Sequence, residues 1–350
     1  MLRFILCSTF GLAACSSAGD DPTAFATVQA TQPQATKASV TTTSVAAVGV
    51  NATTASLATA TDLQFLTALA LDGGYVYFTG GGTTSPPPDS PPGSDTFGVL
   101  RRVPVGGGAV EELWRGQGIG YAVARHADGM AFVTYDYASR GRTGTVRVMR
   151  ADGSAADLTT WRSHGSCVGL TARDGVLFQT HSAGAGGVVD RIDAAGTTSS
   201  SAPEGACNGK PRLNGDRVYW LAGSSVLAAA TSTLATAPVW SASRTLEAFT
   251  TSDGAPAVFA ADDDDLVAID PAAQTTRVVA GGYRGTTDLA FGSGRVYATN
   301  SDGSVTALSL ADSQKVVVAA SQANPKGIIV GDSAIFWINA GSQTVMTARP

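Results

Sequence analysis

Residues 214–220 read Asn-Gly-Asp-Arg-Val-Tyr-Trp, a tight-turn dipeptide followed by an apolar and aromatic run. Asn-Gly beside an apolar segment is a strong hairpin signal, and β-branched and aromatic residues favour a strand. The unit occurs seven times, which makes it the feature that decides the fold. The seven copies begin at Asp72, Asp128, Asp174, Asn214, Asp253, Ser293 and Asp332.

The spacing of these copies predicts the architecture. The aligned positions of the seven copies are Tyr77, Phe132, Phe178, Tyr219, Ala257, Tyr297 and Phe336. They are separated by 55, 46, 41, 38, 40 and 39 residues. A period of roughly 40–50 residues is typical of propeller blades, and the segments lack the 3.6-residue apolar period of helices. The sequence therefore predicts an all-β fold, a seven-bladed β-propeller with four-stranded blades, over residues 53–350.

The last copy is one strand short. Thr344 to Ala348 forms only the third strand of the seventh blade, after which the chain ends. The stretch Thr53 to Thr61 precedes the first blade and is free to supply the missing fourth strand. Such closure removes two open sheet edges, so we expect the N-terminal strand to complete the last blade.

The N-terminus has the pattern of an exported protein. Arg3 is followed by an apolar run from Phe4 to Ala14, too short to span a bilayer but typical of a signal peptide. Residues 12–15, Leu-Ala-Ala-Cys, resemble the lipobox of bacterial lipoproteins. The resemblance implies a signal peptide over residues 1–14, cleavage before Cys15 and lipid on that cysteine. Ser16 implies sorting to the outer membrane. The alternative is an ordinary secretory signal followed by a chance cysteine.

Residues 15–52 are rich in Ala, Thr, Ser, Gln and Val, and Phe25 is their only aromatic residue. Such a segment buries too little apolar surface to offset its ordering entropy. We predict a disordered tether with a reach of roughly 35 Å.

Net charge and cysteine content narrow the function. A net charge of −5 and a pI near 5.2 argue against nucleic-acid binding, which needs a basic surface.

Of the four cysteines, Cys7 leaves with the signal peptide and Cys15 is the lipidation candidate. Cys167 and Cys207 occupy nearly equivalent positions in adjacent blades. In an oxidising compartment they are candidates for a disulfide.

Candidate ligand-binding residues fall on one face of the predicted disc. We call this the loop face, because it carries the loops between second and third strands and those between blades; the tight turns of the repeat lie on the opposite turn face. Its largest loop, residues 80–97, is Pro-rich and is read as either a binding flap or a disordered insertion. Tyr135, Asp136, His164 and His181 lie on the same face. They are candidates for metal or acid–base chemistry, or else solvent-exposed loop residues.

Two further groups have competing interpretations. Asp262 to Asp265 is a run of four carboxylates, read as a Ca²⁺ site or, because it lacks the spaced pattern of a Ca²⁺ loop, as a solvated acidic turn. Trp114, Trp161 and Trp240 lie near the ends of outer strands. They are candidates for glycan stacking or for packing between blades, the commoner role.

Two propeller families show similar single blades. Gly294–Tyr297, with Asp302–Leu308, is similar to the PQQ-like propeller repeat. Val218–Trp220 and Ile335–Trp337 resemble the aromatic strand of YWTD propellers. These resemblances imply the architecture alone, and we expect no cofactor or metal site from them.

The sequence contains no nucleophile elbow, metal motif or phosphate loop, so no catalytic residue is assigned. We expect a non-enzymatic binding or scaffold module for a protein or glycan ligand, displayed at the cell envelope on the periplasmic or outer surface. The alternative is a propeller-type lyase or hydrolase with a metal-assisted site on the loop face.

Overall fold

The computed structural model describes residues 52–84, 96–137, 142–163, 168–183, 186–201, 207–252 and 258–349. These residues form 28 β-strands, grouped in seven antiparallel sheets of four strands each. The innermost strands of the seven sheets contact one another in a closed cycle. The predicted all-β, seven-bladed propeller is therefore confirmed. No helix among the described residues has the length and apolar character needed to cross a membrane.

The strands follow in chain order, and within each blade they run from the centre outward. β1 (Thr53–Thr59) is the outer strand of blade 7. Blade 1 contains β2 (Phe65–Asp72), β3 (Tyr75–Thr83), β4 (Thr96–Pro104) and β5 (Glu111–Gln117). Blade 2 contains β6 (Ile119–His126), β7 (Gly129–Asp136), β8 (Arg142–Arg150) and β9 (Ala155–Ser163). Blade 3 contains β10 (Val168–Arg173), β11 (Val176–Ala183), β12 (Gly186–Ile192) and β13 (Thr198–Ser201).

The remaining blades repeat this order. Blade 4 contains β14 (Cys207–Asn214), β15 (Arg217–Ala222), β16 (Ser225–Ala230) and β17 (Thr236–Ser241). Blade 5 contains β18 (Phe249–Thr251), β19 (Val258–Asp262), β20 (Asp265–Asp270) and β21 (Thr275–Gly281). Blade 6 contains β22 (Thr286–Gly292), β23 (Arg295–Asn300), β24 (Val305–Ser309) and β25 (Lys315–Ala319). Blade 7 contains β26 (Pro325–Val330), β27 (Ile335–Asn339) and β28 (Thr344–Arg349), and is completed by β1.

The N-terminal strand closes the ring as expected. β1 pairs antiparallel with β28, with Thr53 opposite Arg349 and Thr59 opposite Thr344. Since inner strands run from the loop face to the turn face, β1 runs from the turn face to the loop face. Thr53, the first residue of β1, therefore lies at the turn face, on the rim of blade 7.

The core lies in seven layers, one between each pair of adjacent blades. Side chains along a strand alternate between its two faces, so each middle strand packs on both neighbouring blades. Tyr77, for example, packs on blade 2, whereas Phe78 packs on blade 7. A blade of this kind has no exposed apolar face, which explains the near-continuous apolar runs of the repeat.

This alternation corrects the alignment of the repeat in two blades. Five of the aligned residues do face the following blade; these are Tyr77, Phe178, Tyr219, Tyr297 and Phe336. In blade 2 the equivalent residue is Ala131, because Phe132 faces the preceding blade. In blade 5 it is Phe259, since β19 begins only at Val258. Ala257 lies outside the described residues.

An extra apolar residue recurs in the outer strands. In six blades the pairing of third and outer strands shifts by one residue, which leaves a β-bulge. The bulged residues are Leu57, Leu113, Leu158, Val239, Val279 and Val318. Each packs in the layer toward the following blade. The bulge thus lets the exposed outer strand contribute one more residue to the core.

Candidate functional site

Two of the four candidate residues on the loop face lie close together. Tyr135 near the end of β7 and His181 near the end of β11 both lie in the layer between blades 2 and 3. The Trp161 ring on β9 lies between them, with ring centroids 5.8 Å from Tyr135 and 5.1 Å from His181. Asp136 points elsewhere and accepts a hydrogen bond from the Gln117 amide at 3.3 Å. His164 lies outside the described residues.

His181 is a buried strand residue and is not exposed on a loop. Its Nε2 lies 2.8 Å from Asp190 Oδ2, and its Nδ1 lies 3.3 Å from the Ser182 carbonyl oxygen. Ser200 donates its hydroxyl to the second oxygen of Asp190 at 2.6 Å. The interpretation of His181 as an exposed loop residue is therefore wrong, because a carboxylate on the adjacent strand gives the imidazole a buried partner.

This pairing limits what His181 can do chemically. Both ring nitrogens already face protein oxygens, so neither points at space in which a substrate would bind. The serine hydroxyl donates to the carboxylate and not to the imidazole, an order unlike that of a catalytic triad. We interpret His181, Asp190 and Ser200 as a packing device that satisfies polar groups within blade 3.

The rest of this layer is aromatic and polar. Tyr121 and Tyr137 share a hydrogen bond between their hydroxyl groups, and burial raises the pKa of Tyr121 above its usual value. Among the described residues, Trp161 Nε1 and both amide atoms of Gln179 are buried without a hydrogen-bond partner. We call Tyr121, Tyr135, Tyr137, Trp161, Gln179, His181 and Asp190 the blade 2–3 cluster.

The other candidates have structural surroundings of their own. Trp114, Trp161 and Trp240 each pack in a layer between blades, which agrees with the packing interpretation. Among the described residues, no group of three or more His, Cys, Asp or Glu side chains is arranged to hold a metal ion.

The four-aspartate run forms the tight turn between β19 and β20, with Asp262 opposite Asp265. Asp263 pairs with Arg244 at 3.2 Å and with Arg284 at 3.4 Å. Burial, with the neighbouring carboxylates, raises the pKa of Asp262. An acidic turn neutralised by two exposed arginines fits the geometry better than a cation site.

Several predictions fall on residues that the structure does not describe. These include the signal peptide, the lipidation candidate Cys15 and most of the tether. Cys207 begins β14, but Cys167 lies outside the described residues, so their disulfide stays a prediction. The predicted loop 80–97 is shorter than expected, because β3 continues to Thr83 and β4 begins at Thr96; residues 85–95 lie outside the described residues.

The sequence reasoning missed a charged group in the central channel. Arg212 on β14 of blade 4 donates to Asp288 Oδ1 of blade 6 at 3.2 Å and to the Leu289 carbonyl oxygen at 2.9 Å. Lys210 lies two residues before Arg212. The charged residues Lys210 and Arg212 in a predicted inner strand were the available signal. Nothing in the sequence marked Asp288, 76 residues away, as the partner of Arg212.

Comparison with known proteins supports the fold. No family model matches the sequence, and no curated protein matches it. The WD40 β-propeller domain of Doa1 has a TM-score of 0.61 at 12% identity, with 85% of this chain and 97% of that one covered. For the RRP9 WD40 repeats the TM-score is 0.58 at 11% identity, with 87% and 99% covered. The computationally designed Ika8 protein has a TM-score of 0.55 at 15% identity, with 84% and 98% covered.

The fold and these neighbours define the class: the chain is a β-propeller of seven four-stranded blades, similar to WD40-type propellers. At such identities the likeness concerns the fold alone. Fold does not assign chemistry, so function must be argued from the surfaces of this chain.

Proposed function

We propose that this protein is an envelope-anchored lipoprotein whose propeller acts as a binding or scaffold module for a protein or glycan ligand. The observation that carries the proposal is the direction of β1. β1 begins at Thr53 on the turn face, so the chain joins the disc on the side opposite the loop face. A rigid disc held at one face and free at the other suits the display of a binding surface.

An exposed aromatic residue marks the proposed surface. Phe65 is 48% exposed at the loop-face end of β2, beside the mouth of the channel. Exposed aromatic residues are enriched at binding sites. Val105 follows β4 at the turn face and is 41% exposed, which makes it a matched control on the other side of the disc.

Partner capture tests the binding role. Full-length protein is cross-linked in the native bacterium and its partners are identified, in parallel for wild type, Phe65→Ser and Val105→Ser. We expect the same partner with wild type and Val105→Ser, and its loss with Phe65→Ser. Loss with Val105→Ser alone would place the binding surface on the turn face and contradict the proposal. A metal-dependent turnover in a protein without a partner would favour the enzyme alternative.

Lipidation is tested separately. Metabolic labelling with a palmitate analogue is expected to label the wild-type chain and to fail with Cys15→Ser, which should also leave the membrane fraction. Labelling that survives Cys15→Ser would refute the anchor while leaving the binding role open to the capture experiment.

A further inference from the structure

The central channel contains a cavity of about 420 Å³. All seven inner strands line it, and most of the lining residues are small or apolar in type. The charged side chains in this lining are Arg125, Arg173, Lys210 and Arg212, all of them cationic. Arg125 pairs with Asp72 at 3.1 Å. An excess of positive charge along a channel raises the local concentration of anions.

The Asp288 carboxylate, which pairs with Arg212, already accepts three hydrogen bonds. Its Oδ1 accepts from Arg212 and from the Leu289 amide at 2.9 Å, and its Oδ2 accepts from the Ile328 amide at 3.1 Å. These donors come from blades 4, 6 and 7, so the carboxylate ties three blades together across the channel. It forms its ion pair with Arg212 and acts on Lys210 only at longer range.

Lys210 is the cationic residue of this lining that the Asp288 interactions do not include. Its side chain is half-buried, and no hydrogen bond or ion pair joins it to any of the described residues. Arg212 Nε is likewise buried without a partner among those residues. Burial lowers the pKa of the Lys210 ammonium, the charge of Asp288 partly opposes this, and Arg212 adds a smaller lowering. Cations withdrawn from water normally have partners, so Lys210 is a candidate for binding an anion in the channel.

The backbone that carries Lys210 is held firmly. Pairing of β14 with β15 breaks between Asn208 and Arg212, and Gly209 there has a φ of +82°. A Cβ on Gly169 of blade 3 would lie 2.5 Å from Pro211 Cδ and 2.6 Å from Lys210 Cα. The glycine therefore lets the bulge pack directly against blade 3, which fixes where the lysine begins.

We propose that the central channel binds a small anion carrying a carboxylate or phosphate group, held by the Lys210 ammonium beside the Arg212 guanidinium. The cavity is large enough for such an anion and too small for a folded partner. This site goes beyond the proposed binding role of the loop face and does not depend on it.

Calorimetric titration of the full chain at low ionic strength tests the site, with citrate and inorganic phosphate as separate probes. We expect one anion to bind per chain, and Lys210→Met to weaken it at least about tenfold, the effect of losing a charge-assisted hydrogen bond. Lys210→Arg should retain binding. A preference for citrate or for phosphate assigns the anionic group.

Lys326 provides the matched control. It is a second half-buried lysine of an inner strand whose pKa burial lowers, but it does not line the cavity. Lys326→Met should bind as wild type does. Absence of binding by the wild type up to millimolar probe, or equal weakening by Lys326→Met and Lys210→Met in variants with native near-ultraviolet dichroism, would overturn the proposal.

Discussion

Two glycines make room for the indole rings that pack between blades. A Cβ on Gly144 would lie 2.2 Å from Trp161 Cζ2, and one on Gly116 would lie 2.4 Å from Trp114 Cζ2. Real Cβ atoms do not approach this closely, so Gly144 lets Trp161 lie over the neighbouring strand β8, and Gly116 lets Trp114 lie over its own strand β5. In the blade 2–3 cluster, Trp161 in turn separates Tyr135 from His181.

We expect Gly144→Ala to displace Trp161 and destabilise the fold by about 1–3 kcal/mol, the usual cost of overpacking. Denaturant unfolding followed by tryptophan fluorescence measures both effects. Gly106→Ala is the control, since nothing lies within 4 Å of a Cβ built there. An unchanged midpoint in Gly144→Ala would show that the ring position is not constrained.

The pair of His181 and Asp190 should behave as a coupled unit. Either His181→Leu or Asp190→Leu leaves a buried polar partner unsatisfied and should cost about 1–3 kcal/mol. The double variant removes both groups and should cost less than the sum of the two. A double-mutant cycle from urea unfolding measures the coupling; strict additivity would contradict the buried pair.

The candidate site was only partly predictable at this scale. Tyr135 and His181 were selected from their place in the repeat, and the structure does bring them together. The sequence did not show that Asp190 is the partner of His181, or that Arg212 reaches Asp288 across the channel, because such pairings depend on the closed ring. The sequence around a single charged residue in a strand does not indicate which distant residue will pair with it.

At the scale of the strand, β-bulges recur in the outer strands, although the repeated turn-and-strand motif of the sequence gives no sign of them. An extra apolar residue in an apolar strand leaves no sequence signal, so the bulges were not predicted. Each bulge lets one additional residue, which would otherwise face solvent, point into the core. The alternation of side chains between the two faces of the strand continues on either side of it. The alignment errors at Phe132 and Ala257 have a similar origin, because aromatic residues and turn lengths vary among blades while the facing pattern persists.

Leu57 tests the role of the bulge. It is 9% exposed in the outer strand of blade 7, and Leu57→Ala should destabilise the protein by about 2–5 kcal/mol, as large-to-small core changes do. Exposed Thr54 on the same strand is the control, and Thr54→Ala should change stability by less than about 0.5 kcal/mol. Equal changes in the free energy of unfolding for the two variants would contradict the placement of the bulged Leu57 side chain in the core.

The connection from β1 to β2 is fastened by an ion-pair network. Asp62 bonds Arg101 at 2.8 Å and Arg115 at 3.1 Å, and Glu112 bonds both arginines. Hydrogen bonding to Arg101 is the largest cause that lowers the pKa of Asp62 to about 2. The network joins the closing strand's exit to blade 1, so it should help to hold the ring shut.

Its pH dependence follows from the sign of that shift. A lowered folded-state pKa adds stability that is fully present above the unfolded value of 3.8 and is lost as pH falls toward 2. We expect Asp62→Asn to lower the urea midpoint at pH 6 and to flatten its decline between pH 4 and pH 2. The effect should be small because Asp62 is 49% exposed. A decline identical to that of wild type would contradict the assignment.

For the whole molecule, the closed ring is the feature on which the rest depends. Closure by an N-terminal strand completes blade 7 and couples Thr53 to Arg349, residues almost 300 positions apart in the sequence. It also starts β1 at the turn face, on the side of the disc opposite the proposed binding surface. The sequence predicted this closure because a strand was missing at one end and present at the other.

A disulfide trap measures the closure directly. Ala55 of β1 lies opposite Thr347 of β28, and opposed residues in an antiparallel pair lie about 4.5–5.5 Å apart at Cα, within reach of a disulfide. In Ala55→Cys/Thr347→Cys, peptide mass spectrometry after mild oxidation should find the two positions joined within one chain. Ser56→Cys/Thr347→Cys, which puts the thiols on opposite faces, should not join them. Failure of the first pair to cross-link in folded protein, or equal cross-linking of both pairs, would contradict the ring as described.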